Sequence, residues 1–306
     1  MFNNKKLPKG FITLAFGKRY RKLAKNLLIS YKFGKNSLPF CVITDKNDCH
    51  LKGFDIIKVV TPPDKGYFNK LYLDTFSPFS ETIFIDADCL IFDNIENYFN
   101  LFKNLNCDFS SFGRNLLISE LKKPTGYFDF EKTKHLNLTH ACVFNGGIYY
   151  FTYKSKKIFD DARAISKSDQ DYGFAFKGDE PCFALSMALN NCVVQNNWII
   201  NGLMWLPHAK NIKIDIKNHY VSHEIKSGFV RSGIIHFATS NTALPFYKNL
   251  VWILKRNNSR FHIFLFEKNI SYRFFNSKFK IKKFFLILSD VSKKIFIVTK
   301  RRLFHA

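Results

Sequence analysis

The clearest pattern of apolar and polar positions lies in residues 81–95, which read ETIFIDADCLIFDNI. The apolar, β-favouring residues 83–85 are followed by Asp86, Ala87 and Asp88, after which the apolar residues resume. This pattern predicts a buried strand with two carboxylates at its carboxyl end, which is where open α/β sheets bind their ligands. Two acidic side chains on one turn can share a divalent cation, and the cation can neutralise a diphosphate. The alternative is a solvated turn or a helix cap.

The rest of the first hundred residues alternates between short apolar runs and helical spacing. Strands are predicted at 11–16, 41–44 and 55–60, and helices at 18–32 and 68–75. Strands that alternate with helices indicate an α/β fold with a mostly parallel sheet.

The later part of the chain continues with elements of both kinds. Strands are predicted at 108–112, 147–152 and 234–237, and helices at 154–166 and 180–190. From Pro245 the stretch FYKNLVWILKR has helical spacing, and the tail after it interleaves Phe, Ile and Leu with Lys and Arg.

Two polar clusters stand beside predicted element ends. Asn145 precedes Gly146 and Gly147 at the start of a predicted strand. The glycines would let the backbone approach a bulky ligand, and the carboxamide can bond sugar hydroxyls; the alternative is an ordinary β-turn. Asp179 and Glu180 open a predicted helix, where they are either caps or catalytic carboxylates.

Two further side chains are candidates for the same chemistry. His236 follows a short apolar run near the end of the folded region, where a histidine is either a core residue or a ligand. Lys70 precedes the acidic pair by sixteen residues. It could pair with a phosphate or donate to a sugar hydroxyl, and the alternative is a solvated lysine on a helix.

The order of these features resembles that of the GT-A nucleotide-sugar glycosyltransferases. The closest resemblance is to glycosyltransferase family 8, the glycogenin and lipopolysaccharide galactosyltransferase group. It covers residues 10–250 and rests on FIDADCLIF, the Asn-Gly-Gly turn, the Asp-Glu pair and the late histidine. The sequence departs from the family at Leu244, where the family has a phosphate-gripping lysine. It also departs after the first strand, where Ala15-Phe16-Gly17-Lys18 lacks the family's acidic residue.

The resemblance implies an α/β fold of the GT-A type, a Rossmann-like, mostly parallel sheet flanked by helices. It implies a nucleotide-sugar-binding catalytic domain at residues 1–253. Residues 254–306 would form a basic, aromatic, helical C-terminal extension. The implied activity is transfer of a hexose from a nucleotide-diphosphate sugar, a UDP-sugar first among them, to a glycan or lipid-linked acceptor, with retention of anomeric configuration.

The resemblance also assigns roles to the candidate residues. Asp86, Asp88 and His236 would hold a divalent cation, and mixed oxygen and imidazole ligation favours Mn²⁺ over Mg²⁺. The sugar and acceptor side would be lined by Asn145, Asp179 and Glu180, and either of the two acids would be the base if transfer were inverting. The donor would contact Phe16, Tyr20, Lys70, Asp86, Ala87, Asp88, Gly146 and Gly147.

The net charge of +23 is concentrated at the two ends of the chain. Residues 1–35 hold ten Lys and Arg and no acid, and residues 255–306 hold fourteen against two acids. Residues 36–254 are close to neutral, which argues against a nucleic-acid-binding domain. The basic aromatic tail predicts contact with an anionic membrane surface, and a helical subdomain with solvated lysines is the alternative.

The seven cysteines are scattered and never in CxxC spacing, which predicts reduced thiols in a cytoplasmic protein. No apolar run reaches the roughly 18–20 residues that span a bilayer. We therefore expect a cytoplasmic enzyme, peripheral at most on the inner face of a membrane. The enzyme alternative is a sugar-1-phosphate nucleotidyltransferase, although Phe16-Gly17-Lys18-Arg19 is not its glycine-rich phosphate loop. The non-enzyme alternative is a nucleic-acid-binding protein that uses its basic ends.

Overall fold

The structure, a computed structural model, describes residues 6–120, 127–196, 203–215, 218–225 and 228–256. Its α-helices are α1 Gly17–Phe33, α2 Leu73–Phe76, α3 Tyr98–Lys103, α4 Phe130–Thr133, α5 Lys156–Lys167, α6 Asp179–Leu189 and α7 Pro245–Arg256. Its strands are β1 Leu7–Ala15, β2 Phe40–Thr44, β3 Ile56–Val59, β4 Phe79–Ile85, β5 Cys89–Ile91, β6 Phe109–Ser110, β7 Gly113–Leu117, β8 His140–Phe144, β9 Ile148–Thr152, β10 Leu203–Trp205, β11 Lys210–Asp215, β12 Tyr220–Ile225, β13 Gly228–Arg231 and β14 Ile234–His236.

The central sheet has six strands in the order β3-β2-β1-β4-β9-β6. The first four run parallel, and β9 pairs antiparallel with both β4 and β6. The predicted α/β fold with a mostly parallel sheet is therefore confirmed.

Helices cover both faces of this sheet, and the pleat sends alternate side chains to each. Phe11 and Ile83 point into a core shared with α1, α3 and α7, whereas Ile12 and Phe84 point into a core shared with α5 and α6. All four side chains are fully buried. This two-sided burial explains why the central strands read as continuous apolar runs rather than as alternating patterns.

The strand order places a topological switch point between β1 and β4. From β1 the chain moves outward through β2 to β3, and it then returns to the other side of β1 with β4. At such a point the loops that leave two neighbouring parallel strands diverge, and the crevice between them is the usual ligand site of an open α/β sheet. Here those loops begin at Phe16 and at Asp86.

The strand that follows the acidic turn, β5, belongs to a second, three-stranded sheet. Its order is β10-β14-β5, and β5 pairs antiparallel with β14 so that His236 lies opposite Cys89. The Phe237 N–H donates to the Asp88 carbonyl at 3.2 Å. This pairing brings a histidine from the end of the described chain beside a turn almost 150 positions earlier.

Two predicted elements differ from the observed ones. Residues 68–75 form a 3₁₀ helix, Gly66–Tyr72, followed by the short α2, because aromatic and asparagine residues with low helix propensity dominate the segment. The predicted strand 108–112 is only Phe109–Ser110, because the next residue leaves the sheet and its carbonyl accepts from the Gln195 N–H at 2.8 Å.

The C-terminal helix prediction is confirmed as far as the described residues extend. Helix α7 begins at Pro245 and ends at Arg256, so residues 257–306 of the predicted extension 254–306 lie outside the described residues. No helix in the described part of the chain is long and apolar enough to cross a membrane.

Candidate active site

The acidic turn joins β4 to β5 at the carboxyl edge of the central sheet. Its backbone is fixed at both ends, since the Asp86 N–H donates to the Gly147 carbonyl at 2.9 Å and the Cys89 N–H donates to the Asp86 carbonyl at 3.0 Å. Asp88 is 4% exposed, and Asp86 is only partly exposed. Two carboxylates are therefore held close together and largely away from water, which is costly unless a cation compensates them.

His236 faces both carboxylates. Its Nε2 lies 3.2 Å from Asp88 Oδ1 and 3.7 Å from Asp86 Oδ2, and its Nδ1 lies 2.6 Å from Asn145 Oδ1. Because Nδ1 donates to the Asn145 carboxamide oxygen, Nε2 is the nitrogen turned to the acidic turn. A histidine oriented in this way by a second residue is the usual arrangement of a metal ligand.

The Asn-Gly-Gly turn connects β8 to β9 and lies against the acidic turn. Asn145 Oδ1 also accepts from the Gly147 N–H at 3.0 Å, so the carboxamide is held from two sides. A Cβ added at Gly147 would lie 2.6 Å from His236 Nδ1, which only a glycine avoids. The predicted glycine is thus required by the close approach of the imidazole.

Lys70 supplies the buried positive charge of the site. Its Nζ donates to Asp86 Oδ2 at 2.8 Å and to the Gly146 carbonyl at 2.9 Å, and it lies 3.5 Å from Asp179 Oδ2. Burial alone would lower the pKa of Lys70, but the charges of Asp179 and Asp86 outweigh it and raise the pKa. The ammonium is therefore charged at any physiological pH.

The two acids of the first turn of α6 face the same space. Asp179 Oδ2 accepts from the Tyr149 hydroxyl at 2.6 Å, and Glu180 Oε1 accepts from the Gly146 N–H. Burial, reinforced by the neighbouring Asp179 charge, raises the pKa of Glu180 to about 7. The helix start thus carries two carboxylates held by hydrogen bonds, and burial raises the pKa of one of them, Glu180.

Burial and neighbouring charges shift the pKa values of the acidic turn and of the histidine beside it. Burial raises the pKa of Asp86 to about 6, with a contribution from the Asp88 charge and against the opposing effect of Lys70. Burial would lower the pKa of His236, but its hydrogen bond to Asp88 and the charges of both carboxylates raise it. Each group shifts toward its protonated form, which is what an excess of buried negative charge produces.

The donor set fits a hard divalent cation. Potential ligand atoms of Asp88, Cys89 and His236 lie within 4.8 Å of one another. Cys89 is an unsuitable ligand, because burial raises the pKa of its thiol well above the usual value and keeps it protonated. Asp86, whose Oδ2 lies 3.7 Å from the same imidazole nitrogen, replaces it as the third group. The resulting set of two carboxylates and one imidazole suits Mn²⁺ or Mg²⁺.

The remaining predicted donor residues lie around this centre in different ways. Ala87 is 4% exposed between the two acids. Phe16 is half-buried directly before α1, and Tyr20 is 39% exposed on the first turn of that helix. Both aromatic residues follow β1, the strand that neighbours β4 in the central sheet.

Sequence inspection missed two contributors. Tyr149 lies in the apolar run of β9, and nothing in that run distinguishes the tyrosine whose hydroxyl reaches Asp179. Asp45, directly after β2, was not among the candidate residues. It lies on the same edge of the sheet as the acidic pair, and its position after a parallel strand was the available signal.

Comparison with known proteins gives likenesses of structure only. No family model and no curated protein sequence matches the chain. Among solved structures, the galactosyltransferase LgtC in complex with donor and acceptor sugar analogs is similar at 10% identity, over 81% of this chain and 93% of that chain, with a TM-score of 0.49.

The glycosyltransferase GlyE of Streptococcus pneumoniae TIGR4 is similar at 10% identity over 62% of this chain, with a TM-score of 0.40, and this chain spans 46% of the length of GlyE. A putative glucose-1-phosphate thymidylyltransferase of Bacillus anthracis is similar at 15% identity, over 51% of this chain and 75% of that chain, with a TM-score of 0.32. The first two proteins are named as glycosyltransferases. At these TM-scores the likenesses carry no argument about activity, which must come from the side chains of this chain.

Proposed function

We propose that this chain is a divalent-cation-dependent glycosyltransferase that transfers a hexose from a UDP-sugar to a glycan or lipid-linked saccharide. The observation that carries the proposal is the convergence of Asp86, Asp88 and His236 within 4 Å at the switch point of the sheet. A cation at that place lies where an open α/β sheet binds a nucleotide, so a diphosphate is the ligand that fits.

The same three residues would hold the cation, with Mn²⁺ favoured over Mg²⁺ by the imidazole ligand. When bound, the cation would neutralise charge on the departing diphosphate. Asn145 keeps the His236 Nε2 turned to the carboxylates, because its Oδ1 accepts from the His236 Nδ1 at 2.6 Å. The protein's own part is thus to present a largely buried, negatively charged site to the donor.

Lys70 and the start of α6 would serve the sugar side of the donor. The Lys70 ammonium lies between Asp86 and Asp179, so it can hold a sugar hydroxyl or a phosphate oxygen close to the acidic turn. Asp179, Glu180 and Asn145 would then line the transferred sugar and the acceptor. We propose transfer with retention of configuration. If transfer inverts, Glu180 or Asp179 would accept the proton of the acceptor hydroxyl, and a pKa of about 7 suits Glu180 to that role.

The first expected result concerns binding of the donor. A UDP-sugar at 100 times its Kd should stabilise the folded protein by about 2.7 kcal/mol, because a ligand that binds only the native state shifts the unfolding equilibrium. The stabilisation should require Mn²⁺ and should be absent in EDTA. A thermal-shift series of UDP-, GDP-, CMP- and dTDP-sugars, each with and without Mn²⁺, measures it. Absence of a metal-dependent shift with every donor would contradict the proposed function.

The second expected result concerns the basic tail. Residues 255–306 carry fourteen Lys and Arg against two acids, interleaved with Phe, Ile and Leu. Basic residues near an anionic bilayer contribute about 1 kcal/mol each, and aromatic side chains enter its interface. We propose peripheral contact with the inner face of a membrane, where a lipid-linked acceptor would lie.

Deletion of residues 257–306 should therefore weaken binding to vesicles that contain phosphatidylserine more than it slows hydrolysis of a soluble donor. Co-sedimentation with anionic and with neutral vesicles measures the first quantity, and release of UDP measures the second. Equal binding of the full and shortened chains to anionic vesicles would remove the membrane contact from the proposal.

A further inference from the structure

A buried tyrosine that the proposed chemistry does not use contacts a carboxylate of the site. Tyr149 lies on β9, opposite Phe84 of β4, and its side chain is fully buried. Four phenylalanine rings surround its ring at centroid distances of 5.0 to 6.0 Å, those of Phe84, Phe109, Phe144 and Phe183. Phenylalanine would supply the same ring to this apolar cluster, whereas a buried hydroxyl costs free energy unless it has a hydrogen-bond partner. The presence of the hydroxyl is therefore explained by what it contacts.

The partner of the hydroxyl is Asp179. The Tyr149 hydroxyl donates to Asp179 Oδ2 at 2.6 Å, and the same oxygen lies 3.5 Å from Lys70 Nζ. Asp179 is only 4% exposed, so water does little to compensate its charge. The carboxylate thus has a tyrosine hydroxyl as its close donor and an ammonium as its more distant one.

The Lys70 ammonium lies between two carboxylates at unequal distances. Its Nζ is 2.8 Å from Asp86 Oδ2 and 2.9 Å from the Gly146 carbonyl oxygen, but 3.5 Å from Asp179 Oδ2. It also lies over the Tyr149 ring, 5.8 Å from the centroid. The two short hydrogen bonds of the ammonium therefore go to the acidic turn and to the Asn-Gly-Gly turn. The longer contact is with the carboxylate that already accepts from the tyrosine.

The Asn-Gly-Gly turn leaves room for this hydrogen bond. A Cβ added at Gly146 would lie 2.6 Å from the Tyr149 hydroxyl oxygen and 3.0 Å from Asp179 Oδ2. Only a glycine permits so close an approach of the backbone to both groups. The hydroxyl, the carboxylate and the ammonium are thus packed against one glycine.

We infer that Tyr149 is a positioning residue that keeps the Lys70 ammonium on the acidic turn, because its hydroxyl occupies the Asp179 oxygen that would otherwise draw the ammonium away. The inference rests on the proposed function, since it concerns the place where Asp86 and Asp88 would hold a cation. A buried carboxylate that loses its donor takes the next one within reach. Without the hydroxyl, Asp179 takes the ammonium, and the charge of Asp86 is less compensated.

This shift has opposite consequences for the cation and for turnover. A less compensated Asp86 attracts a divalent cation more strongly, because the ammonium no longer competes for the same carboxylate. The ammonium, however, leaves the position in which it would hold a phosphate oxygen or a sugar hydroxyl. Misplacement of such a group by about 1 Å lowers turnover by up to about a hundredfold. Loss of packing alone would instead weaken both cation binding and turnover.

The first test is Tyr149→Phe. This variant should bind Mn²⁺ about twofold to tenfold more tightly than the wild-type protein, the range for one hydrogen bond. It should turn over a UDP-sugar about tenfold to a hundredfold more slowly. Calorimetric titration of the full chain with Mn²⁺ measures the affinity, and release of UDP measures the turnover. Tyr150→Phe is the matched control, because Tyr150 is also buried but lies in the core on the other face of the sheet, and it should match the wild-type protein in both.

The second test concerns the route through Asp179. Asp179→Asn removes the charge that competes for the ammonium, so it should weaken Mn²⁺ binding. In that background Tyr149→Phe should change the Mn²⁺ affinity no further. A tightening that persists without the Asp179 charge would overturn the inference. If urea unfolding shows that Tyr149→Phe is not folded, Asp179→Asn decides alone, and unchanged or tighter Mn²⁺ binding in it would overturn the inference.

The outcomes separate this inference from the proposed function. If the wild-type protein binds Mn²⁺ and folded Tyr149→Phe binds it equally or more weakly, the role of Tyr149 is overturned and the proposed function stands. If the wild-type protein binds neither Mn²⁺ nor a UDP-sugar in its presence, both are overturned.

Discussion

An Asp88→Asn variant is expected to lose metal-dependent donor binding and to hydrolyse a UDP-sugar about 1,000-fold more slowly than the wild-type protein. Loss of one group that stabilises transition-state charge costs about 10²–10³ in kcat, and loss of a cation ligand affects both binding and chemistry. Asp88 is the acid closest to His236, at 3.2 Å, and it is the more buried of the two carboxylates. Removal of its charge therefore leaves the imidazole without its nearest anion.

The fold should survive this change. Asp88 lies at the end of a strand, and its backbone carbonyl, which accepts from the Phe237 N–H, is unaffected by the substitution. Asparagine has the same shape, and it also relieves repulsion between two buried carboxylates. The free energy of unfolding in EDTA should change by no more than about 1 kcal/mol.

The measurements are release of UDP, the rise of Tm with Mn²⁺ and donor, and urea unfolding in EDTA. Asp169→Asn, a change of an exposed aspartate in the loop between α5 and α6, is the control and should behave as the wild-type protein does. Unchanged turnover in Asp88→Asn, or an unchanged metal-dependent rise of Tm, would exclude Asp88 as a cation ligand.

The sequence predicted the members of this site better than their arrangement. Asp86, Asp88 and His236 each follow a short apolar run, and the end of a buried strand is the place where a polar side chain can face a ligand. Their contact depends on the antiparallel pairing of β5 with β14, two strands of three residues each. Such short strands carry no pattern that identifies a partner, since pairing is set by tertiary packing.

The parallel sheet, in contrast, was predictable because its strands have a clear pattern in the sequence. Strands β1, β2 and β4 are buried on both faces, so each appears as a continuous apolar run between helical patterns. The 3₁₀ helix that carries Lys70 was not predictable, because the low helix propensity of its aromatic and asparagine residues does not distinguish a 3₁₀ helix from a short α-helix. Asp45 was missed because a turn signal and a carboxylate at the edge of the sheet look the same in one sequence.

The second large effect is expected on the free energy of unfolding when Lys70 is replaced. Its ammonium is the buried cation that contacts both Asp86, at 2.8 Å, and Asp179, at 3.5 Å. Lys70→Met keeps the length of the side chain and removes the charge, so two carboxylates lose their compensation in a site with little access to water. Breaking a buried ion pair by removal of one partner costs about 3–5 kcal/mol. The free energy of unfolding in EDTA should fall by about that amount.

A divalent cation should recover more stability in Lys70→Met than in the wild-type protein, because it finds a site with one more uncompensated negative charge. Urea unfolding with and without Mn²⁺ measures both effects. Lys132→Met is the matched control, since it removes an exposed lysine from its 2.5 Å pair with Asp171, and such surface pairs contribute little. If Lys70→Met unfolds as Lys132→Met does and gains nothing extra from Mn²⁺, the acidic turn is not a site of excess negative charge. The cation site would then lose its electrostatic basis, because the same excess is what would draw a divalent ion to Asp86 and Asp88.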